Sequence, residues 1–389
     1  MLGIAVASLY AYVGRKGIRS QPVPGTRQRL YWREDIERIA RGTEPAQPRA
    51  VQLIPETRIT LLTPDGHFYR GRSALTLAET ASLEQVAALL WEQDEALIFP
   101  PAAPALPSGF AAALASAAPL SPPDRAASLF PLLEAADPRN YDRSPAGFAR
   151  TGGMLLRWLA AVVAGAGRAS ADPIHIVLAN AFAPAPGDAD IIRRLLVLFA
   201  DHELSPTTYA VRAVANTGAT PYQAVAAGLL ASKGQRIAEG RLPAIRRFLD
   251  EVLGDADPTR PVIERHQAGE AIPGFALREL YPAGDARARA LLPVLEERLG
   301  QDPDFRRLRR AIQVAQDGLG AAPDLALLSL FMERRLRPGP GVGSLQIVGR
   351  AVGWIAHARE QLDSGPMMRP RAAYTGQLPE ANMDKISQD

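Results

Sequence analysis

Apolar residues recur at helical spacing along most of this chain, in stripes separated by proline and glycine, and that pattern limits it to a mainly α fold. Leu83, Val86, Ala87, Leu90 and Trp91 form one stripe; Leu345, Val348, Val352, Ile355 and Leu362 form another. Ile191 to Phe199 is apolar apart from Arg193 and Arg194, which predicts a largely buried helix. Ser205-Pro206 and Thr220-Pro221 each join a capping hydroxyl to a proline suited to the first helical position, and Gly234 can stop the second of these helices. Strand-like alternation is confined to residues 46–75, in Val51-Gln52-Leu53-Ile54 and Thr57 to Leu62, before a polar turn at Pro64-Asp65-Gly66. Phe99 to Pro107 and Pro119 to Pro123 read as loops from their proline content. Aromatic residues make up 6% of the chain, sparse for a β-sandwich.

At 389 residues the chain is long enough for two or more domains. It has no cysteine, which excludes disulfides, thiolate metal sites and a cysteine nucleophile, and is compatible with a reducing cytoplasm, the location expected here. With 44 Lys+Arg against 41 Asp+Glu, the net charge of +3 gives little overall drive towards nucleic acid. No apolar run reaches the roughly 18 residues of a membrane span. The longest candidate, Met154 to Ala166, is interrupted by Arg157. The apolar start, Met1 to Val13, has its charges (Arg15, Lys16) after it, so it reads as a fold element and not as a signal peptide.

Residues 1–45 stand apart. Leu2, Ile4, Ala5, Leu9 and Val13 repeat at helical spacing, a turn-rich basic stretch runs from Gly14 to Arg29, and Glu34 to Ala40 is a short charged helix. The run from Leu9-Tyr10-Ala11-Tyr12-Val13 through Tyr31, Asp35 and Ile36 resembles part of a MerR-type winged-helix DNA-binding domain, without its first helix. Arg15, Lys16, Arg19, Arg27 and Arg29 could hold phosphates. The favoured reading is a packing module with a solvated basic face, and DNA binding is the alternative.

Few polar residues carry a chemical signal. His202 lies between an apolar helix and a capped one, a junction that can place an imidazole in a cleft. Arg287, Arg350 and Arg369 could together clamp a dicarboxylate through bidentate guanidinium bonds. There is no phosphate loop, zinc spacing or serine elbow.

Ala200-Asp201-His202-Glu203-Leu204-Ser205, with Thr207-Thr208, Arg212, Tyr222 and Lys233-Gly234, resembles the citrate synthase family. So do Pro273-Gly274-Phe275, Leu280-Tyr281-Pro282, Gly284-Asp285 and Arg287, then Pro323-Asp324-Leu325-Ala326-Leu327. Gly349-Arg350-Ala351-Val352-Gly353-Trp354 and Arg369-Pro370-Arg371 complete the pattern, in family order over about residues 46–376. The resemblance implies a citrate synthase fold: a large helical domain (46–237 and 336–389), a small one (238–335), and the winged-helix-like segment (1–45) ahead of them. It implies condensation of an acyl-CoA with oxaloacetate or another 2-oxo acid, with no cofactor beyond acyl-CoA as substrate or ligand and no metal. By the same resemblance Asp324 is the catalytic base, His202 binds the oxo acid, and Arg287 and Arg350 clamp its carboxylates. Arg369 falls where the neighbouring subunit contributes an arginine, which implies a dimer. Gly274, Phe275 and Ala276 are expected near the CoA.

The departures from the family bear on activity. Its first catalytic histidine falls at Ile237 and its second at Leu277 or, given one extra residue before Tyr281, at Arg278. The remaining histidines, His67, His175, His266 and His357, lie outside motif positions, and His357 reads as structural. A positioned acid or base contributes about 10²–10⁴-fold, and Ile237 and Leu277 have no proton to offer. Arg236 and Arg278 beside them could stabilise an oxyanion but do not give up a proton. The expectation is a catalytically impaired paralogue that keeps the oxo-acid clamp and acts as a regulatory or partner subunit, as a homodimer or with a catalytic homologue. The alternatives are an active citrate or 2-methylcitrate synthase with an altered mechanism, and a metabolite-sensing DNA-binding protein.

Overall fold

The computed structural model describes residues 20–23, 29–31 and 56–367, except 183, 184, 186, 235, 237–240, 277–280, 282, 338, 340, 342, 365 and 366. The chain divides into two compact units, Met1–Glu56 with Arg369–Asp389, and Thr57–Met368. In the first, β1 (Ser20–Pro22) pairs antiparallel with β2 (Arg29–Tyr31), Ser20 opposite Tyr31. The helices expected at Leu2–Val13 and Glu34–Ala40 lie outside the described residues, and so does Val51–Ile54.

The second unit starts with a small antiparallel sheet. β3 (Thr60–Thr63) and β4 (Gly66–Tyr69) form a hairpin around Pro64-Asp65, and β5 (Arg72–Ser73) pairs with β4. Leu62 faces His67 and Thr60 faces Tyr69 in the register, so these four side chains share one face. Tyr69 is fully buried, and its hydroxyl donates to the Val197 carbonyl at 3.1 Å, which fixes that face to the end of a later helix.

Helices make up most of the rest of this unit. α1 (Ala74–Thr80) leads to α2 (Leu83–Trp91), whose apolar stripe is buried and whose Ser82 and Gln85 form a reciprocal capping box. α3 (Glu95–Ile98) and α4 (Phe110–Ser116) precede α5 (Pro122–Ala136). The loop expected at Pro119 to Pro123 is therefore shorter than its prolines imply. Ser121 caps α5, and Pro122 and Pro123 occupy its first turn, where a missing N–H costs nothing. α6 (Pro145–Ala164) holds the apolar run of Met154 to Ala164; its buried Arg157 donates to the carbonyls of Pro100 and Ala102 at 2.8 and 3.0 Å. α7 (Ile174–Phe182) and α8 (Asp188–Phe199) follow, and α8 is the buried helix expected there.

α9 (Pro206–Ala215) and α10 (Pro221–Ser232) start as their sequences dictate, on Ser205 and Thr220 with proline at the first helical position. α11 (Leu242–Gly254), α12 (Arg260–Gln267), α13 (Ala286–Leu299), α14 (Pro303–Leu319) and α15 (Leu325–Arg335) come next. α11 packs on α12, α14 and α15, and α13 on α15. The last helix, α16 (Ser344–Asp363), is surrounded by α2, α6, α8, α9 and α10, and every residue from Ser344 to Ala358 is buried. Its N-terminus has no side-chain cap of its own. Glu333, at the end of α15, accepts from the Gly343 and Leu345 N–H groups at 2.8 and 3.0 Å and supplies one. None of the described helices is long and apolar enough to cross a membrane.

Candidate active site

The turn between α8 and α9 is pinned before any polar chemistry begins. The Gly353 N–H on α16 donates to the Ala200 carbonyl at 2.9 Å. A Cβ at Gly353 would lie 2.2 Å from an Asp201 carboxylate oxygen, so only glycine lets α16 approach this closely. That approach puts Arg350 against the turn. Its guanidinium donates to Thr208 Oγ1 at 2.8 Å, Ser205 Oγ at 3.0 Å and Asp201 Oδ1 at 3.4 Å. Asp201 is fully buried and also accepts from His357 Nε2 at 3.2 Å. Burial alone would raise its carboxyl, but His357 and Arg350 beside it hold it well below the usual carboxylate range. His357 is thus structural, as its sequence context indicates, and its structural task is to hold the clamp.

The facing wall is built around Asp285. It caps α13 and accepts from Arg287 in bidentate fashion, from Nε at 3.0 Å and from Nη2 at 2.9 Å. Its Oδ2 also accepts from the Leu325 N–H at 3.0 Å, which ties Arg287 to the start of α15. Asp324 precedes that helix as its cap, accepting from the Leu327 N–H at 2.9 Å. Its own N–H donates to the Gly274 carbonyl at 2.9 Å, and Phe275 bridges to Pro323. Gly274 sits at φ +83°, and a Cβ there would press on Leu327 at 2.9 Å, so the segment beneath Asp324 also requires glycine. Burial, with Asp285 nearby, raises the Asp324 carboxyl above the usual range. That shift suits a base that must also hold a proton.

His202, Tyr281, Arg287, Asp324, Gln346 and Arg350 converge on one cavity of about 410 Å³. A larger surface hollow of about 530 Å³, beside Arg72, Thr76 and Gln85, has a single ionisable group in its lining, Arg72. Arg287 Nη2 donates to the Tyr281 hydroxyl at 3.1 Å, and that hydroxyl also meets His202 Nε2 in a short hydrogen bond. Burial, with Arg287 and Arg350 adding to it, pushes His202 down to about 3, so its ring is neutral; in the tautomer protonated at Nδ1, Nε2 accepts the tyrosine proton. Burial pushes Tyr281 up to about 12, so it keeps that proton.

Four residues singled out in the sequence, His202, Arg287, Asp324 and Arg350, thus share this cavity. Of the trio expected near CoA, Ala276 lines it, while Gly274 and Phe275 pack beneath. Arg236 and Arg241 line the same cavity. Ile237, Leu277 and Arg369 lie outside the described residues. Sequence reasoning missed His67, which is 2% exposed with its ring 5.1 Å from His202 and 6.3 Å from Tyr281. The alternation along β4, which puts His67 on the face of buried Tyr69, was the one signal available. No group of side chains that could hold a metal is found among the described residues.

Comparison with known proteins matches the family described as "Citrate synthase, C-terminal domain" over residues 51–371. This chain belongs to the citrate synthase family. The citrate synthase of Haloferax volcanii is 30% identical over 195 residues, 49% of this chain and 51% of that one. Citrate synthase 2 of Bacillus subtilis is 28% identical over 202 residues, 51% and 54% of the two chains. The chain thus spans about half the length of the curated relatives it matches. The solved citrate synthase of Thermotoga maritima matches with a TM-score of 0.67 at 19% identity, over 87% of this chain and 98% of that one. A ternary complex of the Thermoplasma acidophilum citrate synthase with carboxymethyl coenzyme A and oxaloacetate matches with a TM-score of 0.67, also at 19% identity, over 84% and 96%. At such identity these structures establish the shared citrate synthase fold. The family match begins at residue 51, so it does not reach the winged-helix-like segment.

Proposed function

We propose that this citrate synthase family protein binds a 2-oxo dicarboxylic acid, with oxaloacetate the leading candidate, and an acyl-CoA, but condenses them poorly. The observation that carries this reading is the convergence of two buried arginines, Arg287 and Arg350, with neutral His202 and with Asp324 on one cavity. Two fixed guanidinium groups match two carboxylates. Neutral His202 suits an uncharged or hydrogen-bonded part of the acid, and Asp324 faces the acyl group whose proton it would take. Ile237 and Leu277, at the family's histidine positions, supply no donor to a forming enolate or to the acceptor carbonyl. That loss supports a regulatory or partner role, with a dimer completed by Arg369 from a second copy or from a catalytic homologue. In this reading residues 238–335 move as the small domain that closes over CoA, which enters past Ala276, Arg236 and Arg241.

A second reading keeps catalysis by an altered route, as citrate or 2-methylcitrate synthesis, and one observation favours it: the Tyr281 hydroxyl is a protonated group in the cavity wall that could be turned towards a ligand. Metabolite-sensing DNA binding through residues 1–45 is the remaining alternative, resting on the basic residues between Arg15 and Arg29. The deciding experiment pairs calorimetry of oxaloacetate binding with thiol release from acetyl-CoA or propionyl-CoA plus oxaloacetate, using Asp324→Ala as control. We expect oxaloacetate to bind and thiol release to stay at the level of the control. Turnover on the order of 1–10³ per second, abolished in the control, would overturn the impaired reading in favour of the second.

A further inference from the structure

His67 is the anomaly of this site. Both of its ring nitrogens are buried and have no hydrogen-bond partner, whereas its neighbours His202, Tyr281 and Arg287 are all engaged. A buried polar group left unpaired costs about 1–3 kcal/mol, and such groups are rare in native interiors. Leu62, its cross-strand partner on the same sheet face, lines the cavity, and so do His202 and Tyr281, against which its ring stands edge-on. His67 therefore sits directly behind the cavity wall. Burial, with Arg287 and His202 adding to it, lowers its pKa well below the ordinary histidine value, so it is neutral and carries one N–H.

The group in front of it has a conflict to resolve. With His202 protonated at Nδ1, the Tyr281 hydroxyl accepts from Arg287 and gives its proton to His202 Nε2, which leaves no hydrogen for a ligand. If that hydroxyl turned towards a bound acid, His202 Nε2 would be left in the cavity wall as an acceptor with nothing to accept. His67 is the neighbour that can prevent this. Its ring lies 5.1 Å from that of His202, centre to centre, about the separation of two imidazoles joined by an N–H···N bond.

We propose that Tyr281 and His67 together recognise the 2-oxo group: the Tyr281 hydroxyl donates to the oxo oxygen of the bound acid while the His67 N–H takes over His202 Nε2. This rests on the oxo-acid reading of the cavity and adds to it the source of its selectivity. Tyr281 touches the ligand, and His67 is a positioning residue. The arginines hold carboxylates, which oxaloacetate shares with succinate; the exchange at Tyr281 and His67 responds only to the carbonyl that succinate lacks.

The test is calorimetric binding of oxaloacetate and of succinate to the full chain and to Tyr281→Phe, His67→Phe and His67→Gln. The parent protein is expected to prefer oxaloacetate about tenfold or more, in line with one hydrogen bond. Tyr281→Phe removes that preference and leaves succinate affinity within about twofold. His67→Phe reduces the preference about fivefold, and His67→Gln, which keeps an N–H donor, restores most of it. Equal losses for both acids, or a preference unchanged in both phenylalanine variants, would overturn the proposal and leave His67 with a purely structural part. Equal binding of the two acids by the parent protein would overturn it while the cavity reading stands. Binding of neither acid would overturn both. Because His67→Gln must recover what His67→Phe loses, a variant that merely misfolds is not mistaken for support.

Discussion

Two carboxylates belong to opposite sides of this site, Asp201 behind the Arg350 wall and Asp324 in the cavity itself, and they have opposite fates. Asp201 is locked between Arg350 and His357 and stays ionised far into acid. Asp324 has only a backbone N–H for its side chain, and burial raises its carboxyl. The same side chain is held ionised on one side and shifted towards its protonated form on the other, because Asp201 has hydrogen-bonded cationic partners whereas Arg241 and Arg287 act on Asp324 too weakly to offset its burial. Under the proposed function the two fates are complementary, since an acid clamp has to stay charged and rigid while a base has to exchange a proton.

The comparison is broken most severely at Asp201. Asp201→Asn leaves Arg350 and His357 facing a neutral group in the core, and a loss of about 3–5 kcal/mol is expected, read from denaturant midpoints near neutral pH. The sign with pH follows from the lowered folded-state value. The contribution of Asp201 is fully present above its ordinary value near 3.8 and is lost as pH falls through the lower folded-state value, so parent and variant converge in strong acid.

Glu333 sharpens the contrast as a third buried carboxylate, one that caps α16 through two N–H groups and is pushed up by burial to about 7. A raised acid favours folding most below its ordinary value, and here that stability is lost as pH rises from near 4.5 through about 7. The expected loss is about 3 kcal/mol at most. Glu333→Gln should flatten this part of the stability curve, and melting temperatures of parent and variant across that range check it. Asp324→Asn comes last in size. Asparagine caps a helix about as well as aspartate, so stability should change by less than about 1 kcal/mol and oxaloacetate affinity by less than about twofold. A large loss of either would place Asp324 in the scaffold with Asp201.

Much of this was legible in the sequence where the signal is local. The stripe of α2, the apolar body of α8 and the proline-marked starts of α9 and α10 follow from periodicity and capping chemistry, which need only neighbouring residues. His202, Arg287, Asp324 and Arg350 were legible through the order of family motifs, and they do meet. Partnerships between distant positions were not legible. Asp201 and His357 are 156 residues apart, and Arg350 lies as remote from Ser205; only the packing of α16 on α8 and α9 brings them together. His67 was passed over because nothing in Gly66-His67-Phe68-Tyr69 reveals that its strand lies behind the site. The prolines at 122 and 123 were read as loop because a breaker and a first-turn residue look alike until the cap before them is recognised.

The burial of α16 bears on how a ligand comes and goes. From Ser344 to Ala358 a helix enclosed by five others has no solvent face from which to loosen, so the segment carrying Arg350 opens only when the core itself opens. That wall cannot act as a door. For a ligand of the proposed kind, entry and exit would be governed by the other side, where Asp285 couples Arg287 to the start of α15, and a slow-releasing variant is to be sought among α13 and α15 rather than along α16.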